Sequence, residues 1–353
     1  MPVAVSAVVI NYNSGADLVA CLRSVEEQTY AVSEVVVVDN GSTDQSMLEA
    51  TNKFPHIRPI LNGSNRGPAA AGNSGAMIAS GDILIFLNPD VVLSSECVAR
   101  LVEALDERDG VVAPVLLVGP SLTAEYGSTI DRLGQSTALT LPGKPLYVTA
   151  SVMATSRHLF RRLGGFDERY FWSPEDVDYC WRVLLAGGNV TVLPDLEARH
   201  RGGGSTAGGY VKGGRMETTV FRLKLRERNT LTMLLKCAPA ASLIWVVPAY
   251  LVKTGFLAVA AFLLGRPGLA RDLFGGLVWN ARELPLTFRL RRNIPRSKAG
   301  AKVAAERMYR GFLALEYLIK FGPPRFVDST PRQVSEYRSA AQTLRKSRRR
   351  RDQ

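Results

Sequence analysis

Residues 166–182 carry five carboxylates, Asp167, Glu168, Glu175, Asp176 and Asp178, interleaved with Phe166, Tyr170, Phe171, Trp172, Tyr179 and Trp181. Carboxylates are normally hydrated, and placing one among aromatic rings raises its pKa unless a partner compensates. A carboxylate tuned in this way can serve as a general base. Ser173-Pro174-Glu175-Asp176 reads as a helix start, with Ser173 as N-cap, Pro174 as the first helical residue and Asp176 in the first turn. That start aims the Asp176 carboxylate out of the helix mouth. An acidic cap on an ordinary amphipathic helix has the same local pattern, so the choice rests on what else the chain brings there.

Three polar clusters each follow an apolar, β-branched run: Asn11-Tyr12-Asn13, Asp39-Asn40-Gly41-Ser42-Thr43-Asp44 and Asn88-Pro89-Asp90. The runs at 3–10, 35–38, 57–61 and 83–87 read as buried strands. Between them lie a helix with Leu18, Val19, Leu22 and Val25 on one face, a second carrying Met47 and Leu48, and the small-residue segment Asn65–Gly75. A further helix spans 95–106. The order β-α-β-α-β-α-β with short connections implies an α/β fold, a Rossmann-like, mostly parallel sheet with helices on both faces. Ligands in such sheets sit outside the strand carboxyl ends. Each cluster alone could be a plain turn, but three on one edge favour a nucleotide site. No GxGxxG follows the first strand and no GxxxxGK[ST] occurs, which argues against dinucleotide oxidoreductases and P-loop NTPases.

Residues 111–160 are strand-rich without a readable order. After the acidic helix, a strand at 189–193 leads to His200. A lone histidine is more often structural than a ligand. A carboxylate and an imidazole can nevertheless share one Mg²⁺ or Mn²⁺ whose remaining ligands are diphosphate oxygens, and Asp90 and His200 are the candidates. The run Arg201–Gly209 is so glycine-rich that it reads as a mobile lid or a linker.

These motifs, with Asn65-Arg66-Gly67, Gly72-Asn73, Gly165-Phe166-Asp167-Glu168 and Glu175-Asp176-Val177-Asp178, occur in an order that resembles family 2 inverting glycosyltransferases of the GT-A fold. Within that family the chain is most similar to bacterial rhamnosyltransferases acting on polyprenyl-diphosphate-linked sugars. The resemblance covers roughly residues 3–235. It implies that Asn11, Asn13 and Asp39 hold the base and ribose of a nucleotide-sugar donor and that Arg66 approaches the nucleotide. Asn88 stands where the family's first metal-motif aspartate stands, and Asp90 keeps the second carboxylate. It further implies His200 as the other metal ligand, Asp176 as general base, and Trp172 and Glu175 as acceptor contacts. The donor it implies is dTDP-L-rhamnose, with UDP-galactofuranose or another UDP-sugar as the alternative.

The chain has 353 residues and a net charge of +12, which is uneven: up to Ala198 acids outnumber bases, 23 to 13, whereas from Arg199 to Lys346-Ser347-Arg348-Arg349-Arg350-Arg351 the chain is strongly basic. The skew suggests a polyanionic partner. A basic nucleic-acid-binding protein is the rival reading, but no recognition-helix or RNP-type pattern supports it, and no nucleic-acid partner is expected. Residues 240–265 are nearly all apolar and long enough to span a bilayer. Pro248, Lys253 and Gly255 near the middle favour two helices broken there and lying in one leaflet. The expected division is 1–235 donor-binding domain, 236–325 helical membrane-association region, and 326–353 a basic, disordered tail. The expected acceptor is a lipid-linked (polyprenyl diphosphate) saccharide for cell-envelope polysaccharide, met at an anionic membrane surface on the cytoplasmic face of the plasma membrane. Four scattered cysteines without metal spacing read as reduced, buried thiols, and the N-terminus as a first strand with no signal peptide.

Overall fold

A computed structural model of the chain describes residues 2–106, 109–202, 211–212, 215–322, 324–327 and 335–337. The first half alternates as the polar clusters require: β1 (Val5–Asn11), α1 (Asp17–Glu26), β2 (Glu34–Asp39), α2 (Ser46–Lys53), β3 (Arg58–Leu61), α3 (Pro68–Ile78), β4 (Ile83–Leu87), β5 (Val91–Leu93) and α4 (Cys97–Asp106). Next come β6 (Gly110–Val118), β7 (Thr123–Glu125), β8 (Ser128–Ile130), β9 (Ser136–Ala138), β10 (Val152–Ser156), α5 (Arg157–Arg162), α6 (Glu175–Leu185) and β11 (Asn189–His200). The main sheet has nine strands in the order β3-β2-β1-β4-β10-β6-β11-β5, with β7 paired to β6. Strands β1 to β4, β6 and β11 run one way, and β5, β7 and β10 run the other.

The valine run of β2 shows why this sheet is buried on both faces. Val35 and Val37 pack with α1, α2 and α4, whereas Val36 and Val38 pack with α3 and α6. Alternate side chains of a strand point to opposite faces, and each fully buried valine contributes about 1.5–3 kcal/mol. Helix α3 lies close because its buried face is Ala69, Ala70, Ala71 and Gly75, and a Cβ on Gly75 would meet Val8 Cγ1 at 2.3 Å. The long run of β11 was legible only to Leu193. Its register against β6 shifts between Leu193 and Glu197, and the strand then continues to His200.

The C-terminal part comprises β12 (Val211–Lys212), β13 (Arg215–Thr218), α7 (Val220–Cys237), α8 (Ala240–Leu263), α9 (Pro267–Asn293), α10 (Lys298–Glu306), α11 (Leu313–Phe321) and β14 (Arg325–Phe326). The core beneath α6 continues through Leu231 and Leu234 of α7 into Val246 and Tyr250 of α8. Contrary to the sequence expectation, α8 is one helix with Pro248 inside it. Tyr250, two residues beyond the proline, donates to the Glu227 carbonyl at 2.8 Å and fixes the helix there. Lys253 turns inward to Glu227 at 2.8 Å, so its charge is paired. The glycine run Gly203–Gly209, read as a lid or linker, lies outside the described residues. Within the stretch expected to be disordered, residues 335–337 instead form a helical turn.

Candidate active site

Four strand ends build one crevice. Asn11, at the end of β1, is fully buried, and its amide donates to Asp39 Oδ1 at 2.9 Å, Ser46 Oγ at 3.0 Å and Ser42 Oγ at 3.2 Å. Asn11 therefore fixes the Asp39 carboxylate by clamping β1 to β2. Asp39 Oδ2 also accepts from Ser42 N at 3.2 Å. Asn13 sits at φ 49°, and its Oδ1 accepts from Thr43 N at 2.8 Å, tying the two turns together. Asn40 bridges onward, donating to Asn65 at 3.0 Å and accepting from Arg66 N at 3.1 Å. The Arg66 guanidinium, about a third exposed, lies 3.8 Å from Glu168. Ser46 lay outside every motif read in the sequence, and Ser42 and Asn65 stood there only as motif members without a role, since a serine after an Asn-Gly turn looks like any turn residue.

At the end of β4, Asn88 donates to Ser151 Oγ at 3.0 Å. Two residues on, Asp90 Oδ1 lies 3.3 Å from His200 Nε2, since β11 pairs with β5 and sets His200 opposite Val91. Burial pushes the Asp90 carboxyl up, but the hydrogen bond and charge of His200 outweigh it and hold the carboxyl below its ordinary value. Both residues line a cavity of about 240 Å³ together with Asp17, Arg199 and Arg201. Arg201 reaches Asp17 at 2.5 Å across its rim. Among the described residues no group of three or more His, Cys, Asp or Glu could hold a metal. One carboxylate and one imidazole do fit a cation of the Mg²⁺ type, which takes few protein ligands and completes its shell with water and substrate phosphates.

Apart from Glu168, which faces Arg66, the carboxylates of residues 166–182 divide in two. Asp178 is fully buried and meets Arg182 at 2.8 Å and Lys236 at 2.8 Å. Asp167 meets the same Lys236 at 2.8 Å and Arg169 at 2.6 Å. Burial pushes the Asp167 carboxyl up, and the charges of Lys236 and Arg169 overcome this and hold it well below the usual range. These two carboxylates are committed to the frame. Glu175 and Asp176 have no such cations among the described residues. Glu175 is buried with Oε2 unpartnered, and burial followed by the neighbouring Asp176 charge raises its pKa. Burial also raises Asp176, against the pull of the Val177 and Ala150 N–H groups. The helix start differs by one residue from the sequence reading. Pro174 is the N-cap, its peptide bond to Ser173 is cis, and Ser173 has φ 45°, a shape that places no serine cap on α6. Trp172, before this turn, stacks under Arg222, whose guanidinium carbon lies 4.2 Å from the ring centroid. Asn229 of α7 holds the Trp172 and Ser173 carbonyls at 3.0 and 2.6 Å.

The segment Ala150-Ser151 links the two halves: the Ala150 N–H donates to Asp176, and the Ser151 hydroxyl accepts from Asn88 at 3.0 Å.

Residues 6–164 match the family described as "Glycosyl transferase family 2". The chain carries a family 2 glycosyltransferase domain. The transferase is 28% identical over 300 residues to the N-acetylglucosaminyl-diphospho-decaprenol L-rhamnosyltransferase of Mycobacterium tuberculosis, a match covering 75% of this chain and 94% of that protein. It is 32% identical over 175 residues to the pre-mycofactocin glycosyltransferase of the same organism, covering 47% of this chain and 37% of that one. In backbone it resembles S. aureus TarS 1-349 in complex with UDP-GlcNAc, with TM-score 0.54 and 18% identity over 88% of this chain and 93% of that chain. It also resembles GalNAc-T7 with UDP, GalNAc and Mn²⁺, with TM-score 0.54 and 16% identity over 66% and 48% of the two chains. The transferase thus has the GT-A fold and C-terminal helices beyond it. The family match ends at residue 164, before Asp176 and His200.

Proposed function

We propose that the transferase is an inverting, divalent-metal-dependent rhamnosyltransferase, moving L-rhamnose from dTDP-L-rhamnose to a polyprenyl-diphosphate-linked saccharide in cell-envelope polysaccharide synthesis. One observation carries the chemistry: Asp176, a carboxylate with no cation partner among the described residues, accepts from the Ala150 N–H, and the next residue, Ser151, accepts from Asn88, two residues before the Asp90 that meets His200 at 3.3 Å. The mycobacterial relative, whose name states a rhamnosyl donor and a decaprenol-diphosphate acceptor, supports the substrate class. In this reading Asp39, oriented by Asn11, accepts from the pyrimidine ring N–H, with Asn13, Arg66 and Asn88 lining the donor. Asp176 takes the proton of the acceptor hydroxyl as its oxygen bonds the anomeric carbon. The bond from that carbon to the diphosphate oxygen breaks in the same displacement, and its electron pair leaves with the nucleoside diphosphate. A bound Mg²⁺ or Mn²⁺, held by Asp90 and His200, would supply positive charge to the departing diphosphate. Glu175, protonated ahead of Asp176, can donate a hydrogen bond to the acceptor sugar beside Trp172.

The decisive test is donor use across dTDP-rhamnose, UDP-galactofuranose, UDP-galactose, UDP-glucose and GDP-mannose. Selective use of dTDP-rhamnose, lost in EDTA and restored by Mg²⁺ or Mn²⁺, is expected. Preference for UDP-galactofuranose would retain the base and discard the rhamnosyl donor.

Donor chemistry belongs to residues 1–235 in this proposal, and membrane contact to 236–325. One face of α8 is an exposed apolar stripe that includes Ile244 (80% exposed), Val252 (73%), Phe256 (71%) and Leu263 (78%). The helix is the one described element long and apolar enough to cross a membrane. Arg282, Arg289 and Arg292 are exposed on α9, which packs on α8. An apolar stripe beside basic residues fits an anionic leaflet on the cytoplasmic face of the plasma membrane. Replacing Val252 and Phe256 together by Glu is expected to weaken sedimentation with anionic vesicles by roughly tenfold or more. Unchanged sedimentation would remove this face as the contact.

A further inference from the structure

The nucleotide crevice is not open along its whole length, because a part of the chain distant in sequence lies across it. Glu336 stands at 2.5 Å from the Tyr12 hydroxyl, which donates to its carboxylate, and accepts from Asn65 Nδ2 at 3.1 Å. Tyr12 sits between Asn11 and Asn13 at the end of β1. Asn65 is held by Asn40, next to Asp39. The next residue, Tyr337, is anchored separately. Its ring packs edge-on against Phe171 and Phe221, with centroids 5.4 and 5.7 Å apart, and Arg228 donates to its hydroxyl. The Arg228 guanidinium also lies 5.5 Å from the Tyr337 ring centroid. One short turn therefore ties the donor side of the crevice to the aromatic loop that leads to Glu175 and Asp176.

We infer that residues 335–337 are a strap that occupies part of the nucleotide crevice and competes with the donor. The inference rests on the proposed donor site. A carboxylate has no hydrogen to offer the carbonyl oxygens of a pyrimidine, and its charge opposes an incoming diphosphate. While Glu336 holds Tyr12 and Asn65, both groups are engaged by the strap and not by a nucleotide. Tyr337, fixed in its own aromatic pocket, keeps the strap close after Glu336 lets go, so that displacement is local and reversible. A ligand that binds only the open form shows an affinity reduced by the open fraction.

The test is calorimetric titration of dTDP and of UDP into the full chain and into three variants: Glu336→Ala, Tyr337→Ala and Asp39→Asn. Both strap variants are expected to bind the nucleotide about tenfold or more tightly, the scale of a hydrogen bond to an ionised group, and Asp39→Asn is expected to bind it more weakly. If Asp39→Asn weakens binding while Glu336→Ala leaves it unchanged or weakens it too, the strap is overturned and the donor site stands. If Asp39→Asn leaves binding unchanged, the donor-site reading fails and the strap with it.

Discussion

Asp176→Asn is expected to slow sugar transfer by about 10²–10⁴-fold, the usual contribution of a positioned general base, with donor affinity unchanged. The asparagine keeps the shape of the side chain and the Val177 hydrogen bond, so a loss of turnover reports the lost proton acceptor. Burial raises the Asp176 carboxyl, which fixes the sign of the pH response. The basic form is present above the raised pKa and disappears as pH falls through it, so the acid limb of kcat should lie above the ordinary aspartate value of about 3.9. Single-turnover rates with titrated donor measure both quantities. Weakened donor binding in this variant would move Asp176 to the donor side, and an unchanged rate would remove it as the base.

Asp178→Ala, two residues along the same helix, is expected to act on stability. Its carboxylate is fully buried and serves Arg182, Lys236 and the Tyr170 hydroxyl. Removing it leaves two buried cations short of a partner, a change that typically costs about 3–5 kcal/mol. Urea denaturation of both proteins at neutral pH measures the loss. A difference under about 1 kcal/mol, the range of exposed pairs, would show that Asp167 and backbone carbonyls suffice to satisfy Arg182 and Lys236.

The contrast between Asp176 and Asp178 marks how far the sequence could be read. Strand periodicity exposed the β2 valines and the strand-end clusters, because a buried strand writes its environment in every residue. The acidic stretch stood out as a candidate site, but nothing in it distinguished carboxylates held by cations from those left without one. That distinction depends on Lys236, which lies far along the chain on α7 and meets both Asp167 and Asp178. The inward turn of Lys253 and the continuity of α8 through Pro248 were hidden for the same reason, since Glu227 and Tyr250 make the compensating contacts. His200 and Asp90 could be paired from ligand chemistry and from the family resemblance, but not from strand pattern, because their meeting is made by the pairing of β11 with β5. Glu336 had no local signal, as one acidic residue in a basic tail looks solvated.

Gly67, at φ 83°, lies so close to the next loop that a Cβ would fall 2.1 Å from the Phe171 carbonyl oxygen. The turn that follows Asn65 and Arg66 thus rests backbone to backbone on the loop that leads to Trp172 and Asp176. Such a contact has no rotamer to absorb error. In the proposed reaction it would act as a gauge block between donor and acceptor, setting the gap across which the new glycosidic bond forms. Catalysis by approximation tolerates little slack, since a misplacement of about 1 Å can cost about 10²-fold in rate. The smallest residue in the chain would then set the tolerance to which the enzyme is built.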